Sequence, residues 1–310
     1  MLKITDIVAP IGFDEEKLKE LIAKKIGCGI AEIKTVTLLK RAVDARKKQD
    51  IHYTVTAAVQ MDNEEKYLRR KNPAVSKHIP YVEKDYVKVK LPYRPVVVGS
   101  GPAGLFAALT LAKAGAEPVL LERGMDVDAR TNVVKSFWQG GRLDPNCNVQ
   151  FGEGGAGTFS DGKLTTGTKD VRIASVFHQF VAYGAPQEIL YNAKPHIGTD
   201  VLLNVVQNLR QRILSLGGEV RFNTQVMGLK TEDGRLTGLE LSDGSTLDCD
   251  RCILAIGHSA RDTFRMLHDS GIPMEPKAFS MGVRIEHKQE LVDMAQYGQL
   301  SPYLPPADYK

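Results

Sequence analysis

Three glycines, Gly99, Gly101 and Gly104, have the spacing of a dinucleotide-binding turn. They follow the apolar run 96–98 and precede the apolar stretch 105–113, so we expect a buried strand, a tight turn and a helix. The first glycine permits the turn, the second lets the backbone approach a pyrophosphate, and the third lets the helix lie close to the strand. The free N–H groups of the first helical turn would then face the phosphates.

An acidic residue stands at the end of the next predicted strand, residues 118–121. Glu122 lies about 20 residues beyond the glycines, where a carboxylate can accept hydrogen bonds from ribose hydroxyls. Because a carboxylate repels a 2′-phosphate, this position disfavours NADP and favours FAD or NAD.

A second glycine-rich stretch, GEGGAGTFSDGKL, spans residues 152–164. Its many glycines suit a backbone that lies against a large flat ligand. A P-loop would need Ser or Thr after Gly162-Lys163, but Leu164 stands there, which disfavours a P-loop that covers a phosphate.

Composition predicts a globular protein of about two domains. The chain has 310 residues, of which 43% are hydrophobic and 25% charged. Four cysteines are too few for a disulfide framework, residues 1–10 lack the pattern of a secretory signal, and no apolar run reaches the ~18 residues of a membrane helix. We therefore expect a cytoplasmic protein without a membrane partner.

Charge divides the chain near Pro95. Residues 1–94 hold 20 Lys and Arg against 13 Asp and Glu, whereas the remainder holds 21 against 24. The basic stretch KRAVDARKK at residues 40–48 suggests an anionic partner for the first part. Only Tyr53 is well placed for stacking on a base, which disfavours a nucleic acid as that partner without excluding it.

The first 94 residues have the element order of a small α+β domain of the ferredoxin-like type. Asp14 is the expected N-cap of the first helix. The expected strands are 2–8, 33–39, 51–59 and 86–91, and the expected helices are 14–26 and 62–70.

Further along, Thr199 or Asp200 is expected to cap a helix that ends at Gly218, followed by a strand at 220–222. A β-meander is then predicted. Its strands are 226–230, 236–241 and 252–256, joined at the turns Asp233-Gly234 and Asp243-Gly244, and it closes in Ala255-Ile256-Gly257.

This order of motifs resembles the FAD fold of the glutathione-reductase type. The stretch Asn148–Phe151, the loop GEGGAGTFSDGKL, residues 281–287 and the basic segment before the nucleotide domain are similar to a bacterial family of uncharacterised FAD-dependent (NAD(FAD)-utilising) dehydrogenases. The resemblance implies an α/β fold: a Rossmann-like FAD-binding domain with an inserted β-meander, preceded by the small ferredoxin-like domain. It implies no substrate or reaction.

The resemblance also implies which residues hold FAD. The adenine side lies near Val226, and the flavin side is contacted by the loop 154–161 and by Gly257. The full predicted set is Gly99, Gly101, Pro102, Ala103, Gly104, Glu122, Arg123, Gly154, Gly155, Ala156, Gly157, Thr158, Ser160, Asp161, Val226, Ala255 and Gly257. With one fingerprint in the chain, NAD(P)H as electron donor would dock transiently at the flavin.

One departure from the pattern is expected to matter. Proteins of this fold return with a late Gly-Asp strand, which this sequence lacks. The expected domains are therefore 1–94, small and basic; 95–277, FAD-binding; and 278–310, the start of a substrate domain, as in a C-terminally truncated chain.

The catalytic residues cannot be assigned from the sequence, and no metal site is expected. Cys249 and Cys252 form a C-x-x-C that precedes a strand, and Cys147 is single, so structural roles are expected for all three. The remaining candidates are His258, Arg284 and His287 on an expected strand, and the loop charges Asp161 and Lys163. The expected function is an FAD-dependent oxidoreductase of unknown small-molecule substrate. The alternatives are an RNA-associated flavoprotein and a non-catalytic remnant of the fold.

Overall fold

A computed structural model describes residues 1–159, 162–283 and 285–308. The helices are α1 (Glu15–Ile26), α2 (Glu64–Arg69), α3 (Pro102–Lys113), α4 (Val127–Trp138), α5 (Arg172–Ala182), α6 (Thr199–Ser215), α7 (Arg261–Asp269) and α8 (Gln289–Tyr297). The strands are β1 (Leu2–Ala9), β2 (Ile33–Asp44), β3 (His52–Met61), β4 (Val75–Lys77), β5 (Val96–Val98), β6 (Val119–Leu121), β7 (Glu219–Arg221), β8 (Val226–Glu232), β9 (Arg235–Leu241), β10 (Thr246–Asp248) and β11 (Cys252–Leu254). The predicted α/β class is confirmed.

The first sheet has the order β2-β3-β1-β4, with every pair antiparallel. The side chain of Asp14 accepts from the N–H of Lys17 and caps α1, as predicted. One face of α1 packs on the sheet and buries Leu18 and Ile22 with the apolar side chains of β1 and β3. The strand predicted at 86–91 is wrong: those residues form no strand, and the fourth strand is the three-residue β4 instead.

The second sheet is parallel, with the order β11-β5-β6-β7. Val96 pairs with Val119 on one side and with Cys252 on the other. The prediction that 252–256 closes the meander is therefore wrong. Because these residues are apolar and enter the sheet beside β5, they extend the Rossmann-like layer and bring the chain from residue 255 onward over the glycine turn.

Three antiparallel strands, in the order β10-β9-β8, form the third sheet. Asp233 and Gly234 both have positive φ (51° and 74°), as a tight hairpin turn between β8 and β9 requires. The third strand is β10, and Leu247 pairs with Leu239.

Helices α3 and α6 pack on one face of the parallel sheet, where Leu105, Leu109, Leu209 and Ile213 are buried. Helix α6 begins at Thr199 with Gly198 as its N-cap, so the predicted caps Thr199 and Asp200 lie inside the first turn. The helix ends before Gly218, at Ser215, because Gly217 turns the chain with φ +86°.

Residues 273–283 and 285–288 form no helix or strand. The strand expected around His287 is therefore wrong for the described residues there, and Arg284 lies outside the described residues. Phe279, Met281 and Val283 are more than four-fifths exposed, so this stretch lacks the packing that would fix a strand. Among the described residues, no helix combines the length and apolar character needed to cross a bilayer.

Candidate functional site

A cleft of about 580 Å³ lies beyond the carboxyl ends of β5, β6 and β11. Ligands of open α/β sheets bind at such an edge. Most of the predicted residues meet there: Gly99, Gly101, Pro102, Ala103, Glu122, Arg123, Gly155, Ala156, Gly157, Val226, Ala255 and Gly257 line the cleft. Gly104, Gly154 and Thr158 lie outside its lining, and Ser160 and Asp161 lie outside the described residues.

The three glycines of the first turn differ in what they are needed for. Gly99 has φ +98°, and a Cβ there would stand 2.5 Å from the carbonyl oxygen of Ala255. A Cβ on Gly104 would overlap the carbonyl oxygen of Gly99. Gly101 has φ −67°, and its Cβ would meet only the Cα of Gly155, at 3.8 Å. Protein packing thus requires two of the glycines, whereas the third keeps space open in the cleft.

Helix α3 points its N-terminus at this space. Gly101 is its N-cap and Pro102 its first residue, a position where the missing N–H of proline is not needed. The amides that follow have no partner within the helix, and they add to the positive end of its dipole. This end of the cleft is therefore suited to a phosphate anion.

Glu122 reaches the cleft from the end of β6, but it is 95% buried. Its Oε2 accepts from the N–H and the hydroxyl of Ser100, both at 2.8 Å. Its Oε1 accepts from the N–H groups of Gly124 and Gly152, at 2.9 and 3.0 Å. The carboxylate is therefore surrounded by protein donors, and its contact with a ribose stays a prediction.

Arg123 forms the neighbouring wall of the cleft. Its guanidinium donates to both carboxylate oxygens of Asp262 on α7, at 3.0 and 2.6 Å, and lies 4.6 Å from the centre of the Phe151 ring. Gln225 donates to the same carboxylate at 3.0 Å. The Arg123 hydrogen bonds lower the pKa of Asp262 to about 2, so the pair is ionised at neutral pH. The pair ties β6 to α7 across the cleft.

The second glycine loop packs directly on the first turn. The N–H of Gly154 donates to the carbonyl of Ser100 at 2.9 Å, and a Cβ on Gly155 would stand 2.9 Å from the Cα of Gly101. Thr158 is buried beneath the loop, and a Cβ on Gly154 would overlap its hydroxyl. Gly154 and Thr158 thus support the loop, while the residues between them face the cleft.

Two buried charged side chains hold this loop from below. Arg130 is fully buried and stacks 4.8 Å from the centre of the Phe159 ring. Burial lowers the pKa of Arg130 to about 10, so it keeps its charge. Glu153 is also fully buried; its carboxylate accepts from the N–H of Val127 at 2.8 Å and lies 3.1 Å from Arg210. Burial raises the pKa of Glu153 to about 7.

The wall of the cleft that α7 forms was not predicted from the sequence. Thr263, Phe264 and Leu267 line it, and the hydroxyl of Ser259 bonds to Gln150 at 3.1 Å on the rim. The available signal was the face of α7 shared by Thr263 and Leu267, four residues apart. Arg130 was missed too, although it occupies the same helix face as the buried Val127 and Val134.

The candidate catalytic residues are scattered. Cys147 and Cys249 are buried, and burial raises the pKa of both thiols, which is the wrong direction for a nucleophile. Of the other candidates, His258 lines the cleft, whereas Lys163 and His287 do not. Within the described ranges, no three His, Cys, Asp or Glu side chains converge as a metal ion would require.

Family models match four parts of the chain. An NAD(P)-binding Rossmann-like domain matches residues 97–151, a flavin containing amine oxidoreductase matches 144–281, and an FAD-dependent protein, C-terminal domain-like, matches 278–310. Residues 1–60 match a domain of unknown function (DUF8436). These matches confirm the predictions of a Rossmann-like nucleotide-binding domain and of FAD as the cofactor.

One relative is similar along the whole chain. An uncharacterised protein of Clostridium beijerinckii is 44% identical over 317 residues, and the match covers 100% of this chain and 59% of that protein. The chain thus spans less than two thirds of this relative's length.

Likenesses to solved structures are weaker. Thermovibrio ammonificans THI4 is 16% identical, with 59% of this chain and 64% of that chain covered and a TM-score of 0.37. Glycine oxidase of Bacillus cereus is 13% identical, with 58% of each chain covered and a TM-score of 0.39. Both TM-scores are below 0.5.

Proposed function

We propose that the whole protein is an FAD-dependent oxidoreductase and that this chain binds FAD in the cleft between the two glycine loops. The observation that carries the proposal is that protein contacts do not require glycine at Gly101. Its φ of −67° suits any residue and a Cβ would meet only the Cα of Gly155, at 3.8 Å, yet the residue lines the cleft at the N-terminus of α3. A ligand phosphate that needs close backbone approach explains the residue.

The proposed site divides the FAD molecule between two regions. The first glycine turn and α3 hold the pyrophosphate, Val226 lies on the adenine side, and the loop from Gly155 to Gly157 with Gly257 contacts the flavin side. Support comes from the position of all these residues around one cleft. When bound, FAD supplies the electron-transfer chemistry, with a transiently docked NAD(P)H as a proposed donor. The chain's own residues bind and orient the cofactor, and the apolar side chains of α7 exclude water from that wall.

The glutathione-reductase type of FAD fold is the finer assignment that we propose. Support comes from the parallel sheet with the glycine turn after β5 and from the three antiparallel strands β8, β9 and β10, which fill the place of the inserted meander. For the first 94 residues we propose the ferredoxin-like type, supported by the sheet order β2-β3-β1-β4.

The domain limits 1–94, 95–277 and 278–310 are proposed on the separation of the cores. One buried cluster contains residues from Leu2 to Tyr67, whereas two others contain only residues from Val96 to Cys249. Residues 78–95 link them without helix or strand.

An anionic partner is proposed for the basic part. Lys40, Lys47 and Lys48 are exposed, whereas Arg46 pairs with Asp44. Salt-dependent binding of an RNA or of heparin to the chain, weakened in a K47E/K48E variant, would support this proposal; binding that is unchanged by the variant would contradict it.

The absorbance spectrum of the purified chain tests the proposed function most directly. We expect a flavin spectrum, or saturable binding of added FAD that ADP competes for. Absence of both a retained flavin and any saturable binding of FAD would refute the proposal.

A further inference from the structure

A short segment, residues 191–197, lies between the first sheet and the second glycine loop, and we call it the connector. It forms two isolated β-bridges. Asn192 pairs with Arg41 of β2 in the parallel orientation, and His196 pairs with Lys163 of the glycine loop in the antiparallel orientation. The two ends of the connector therefore contact two different parts of the molecule.

The first end of the connector pairs with an edge of the first sheet. The N–H of Arg41 donates to the carbonyl of Tyr191 at 2.6 Å, and the N–H of Ala193 donates to the carbonyl of Arg41 at 2.9 Å. Strand β2 is an edge strand, so these backbone groups of Arg41 face away from β3 and need a partner outside the sheet. The connector supplies that partner.

The side chain of Arg41 adds contacts on both sides of this junction. Its guanidinium lies 5.5 Å from the centre of the Tyr53 ring on β3 and 5.1 Å from the centre of the Tyr191 ring. Its Nε donates to the Oδ1 of Asn192 at 3.1 Å. A planar guanidinium can stack on aromatic rings and donate hydrogen bonds at the same time. Arg41 thus fixes the connector to the first sheet through its side chain as well as its backbone.

The middle of the connector has little conformational freedom. Pro195 has a fixed φ, and it restricts Lys194 to extended conformations. Pro195 and Ile197 are buried, and Ile197 packs in the apolar cluster beside the parallel sheet. The ammonium of Lys194 lies 2.8 Å from the carboxylate of Asp308. A displacement of residues 191–193 would therefore be passed on to Pro195 rather than absorbed between them.

The second end of the connector holds the far end of the second glycine loop. The N–H of Leu164 donates to the carbonyl of Pro195 at 2.9 Å, and the N–H of Ile197 donates to the carbonyl of Gly162 at 3.0 Å. Gly162 has φ +67°, and a Cβ there would overlap the carbonyl oxygen of Ile197. Because Gly154 bonds to the first glycine turn, the loop is held at its start by that turn and at its far end by the connector.

We infer that Arg41 is a positioning residue for the flavin side of the cleft: it docks the first sheet on the connector, and the connector holds the second glycine loop at residues 162–164. The inference rests on the proposed function, in which this loop contacts the flavin side of FAD and the first glycine turn holds the pyrophosphate. It gives the first sheet a role in cofactor binding that is separate from the proposed anionic partner.

Binding of FAD and of ADP distinguishes this role from a general loss of stability. The proteins are wild type, Arg41→Ala and the control Arg69→Ala, which removes an exposed arginine at the end of α2. ADP lacks the flavin, so it probes the first glycine turn without the flavin side. We expect Arg41→Ala to raise the dissociation constant of FAD by about fivefold, the factor for one net hydrogen bond, and to leave that of ADP within about twofold of wild type. Arg69→Ala should change neither.

The ratio between the two dissociation constants decides the outcome. Equal weakening of FAD and ADP in Arg41→Ala would overturn the inference, because the effect would not be confined to the flavin side. Unchanged FAD affinity would overturn it as well. Asn192→Ala should give part of the same effect, and the double variant should bind FAD no more weakly than Arg41→Ala. Additive losses would contradict the docking role of Arg41, because the two residues would then act independently.

Amide hydrogen exchange of the protein without nucleotide supplies a readout that is independent of the ligand. If wild type binds neither FAD nor ADP, the proposed function fails, and exchange alone decides the inference. We expect Arg41→Ala to speed exchange at Leu164 and Ile197, whose N–H groups bond across the second end of the connector. Arg69→Ala should match wild type, and Asn192→Ala serves where Arg41→Ala does not fold. Faster exchange that is confined to residues 191–193, or unchanged exchange throughout, would refute the inference.

Discussion

Replacing Gly101 by alanine should separate ligand binding from folding. The new Cβ would contact only the Cα of Gly155, at the ordinary distance of 3.8 Å, and φ −67° suits any residue. Alanine is a poorer N-cap than glycine by roughly 1 kcal/mol, but it lowers the entropy of the unfolded chain by a similar free energy of about 0.4–1 kcal/mol. The free energy of unfolding should therefore change by less than about 1 kcal/mol.

The effect on FAD should be much larger. The Cβ would occupy the space where the pyrophosphate approaches the backbone, and one lost hydrogen bond to a charged group costs about 1.5–3 kcal/mol. The dissociation constant should therefore rise by roughly 10- to 150-fold. Gly101→Val should abolish binding while the fold persists.

Two comparison variants make the result interpretable. Gly104→Ala would place its Cβ on the carbonyl oxygen of Gly99 and should destabilise the fold by about 1–3 kcal/mol or more. Gly167→Ala, whose Cβ meets nothing within 4 Å, should change neither property. Urea unfolding gives the stability, and equilibrium dialysis with FAD gives the affinity. If folded Gly101→Ala binds FAD as wild type does, Gly101 does not face the ligand, and the proposed position of the pyrophosphate is wrong.

Three further predictions concern stability. The raised pKa of Glu153, about 7 against an ordinary 4.5, means that the folded protein holds this proton more tightly. Between pH 5 and 8 the free energy of unfolding of wild type should therefore fall, and it should fall by on the order of 3 kcal/mol more than that of Glu153→Gln, as measured by urea unfolding. The same pH dependence of the free energy of unfolding in both proteins would contradict this. Asp262→Asn should lower the free energy of unfolding by about 0.5–1 kcal/mol at pH 7, because it weakens the interaction with Arg123. Since the pKa of Asp262 is lowered to about 2, that difference should persist at pH 5 and shrink only as the pH falls below about 4; a difference lost by pH 5 would argue against the pair. Ile22→Ala should destabilise the buried cluster of the first 94 residues by about 2–5 kcal/mol and leave the FAD affinity unchanged. A matching loss of FAD affinity would show that this cluster is coupled to the clusters around the parallel sheet.

The parts that the sequence predicted correctly are those whose signal is local. The strand, turn and helix around Gly99 to Gly104 follow one another without interruption, so their types and spacing determine the structure. Asp14 caps α1 for the same reason, because the N–H groups that it serves lie three residues away. The hairpin at Asp233-Gly234 needs only the positive φ angles that these two residues tolerate.

The errors arise where distant segments meet. The partner of Cys252 in the sheet is Val96, more than 150 residues earlier, and a parallel pairing leaves no turn signal between its strands. An arginine in a helix usually lies on the solvated surface. Arg130 is buried because it donates to four backbone carbonyls of the turn at residues 148–153, which lies outside its own helix. Strand β4 has only three residues, too few for a periodic pattern.

These long-range contacts also explain why the cleft depends on the whole parallel sheet. The turn at Gly99 is tight not only because a ligand approaches it but because Ala255, at the end of β11, lies against it. On the other side, Ser100 shares its N–H and hydroxyl with Glu122 and its carbonyl with Gly154. Protein contacts thus hold the first glycine turn between β11 and the second loop. Because these contacts already hold Gly99 and Ser100, binding of a dinucleotide is not weakened by an entropic cost of ordering the turn. The position that protein contacts leave open, Gly101, is the one where the ligand is expected.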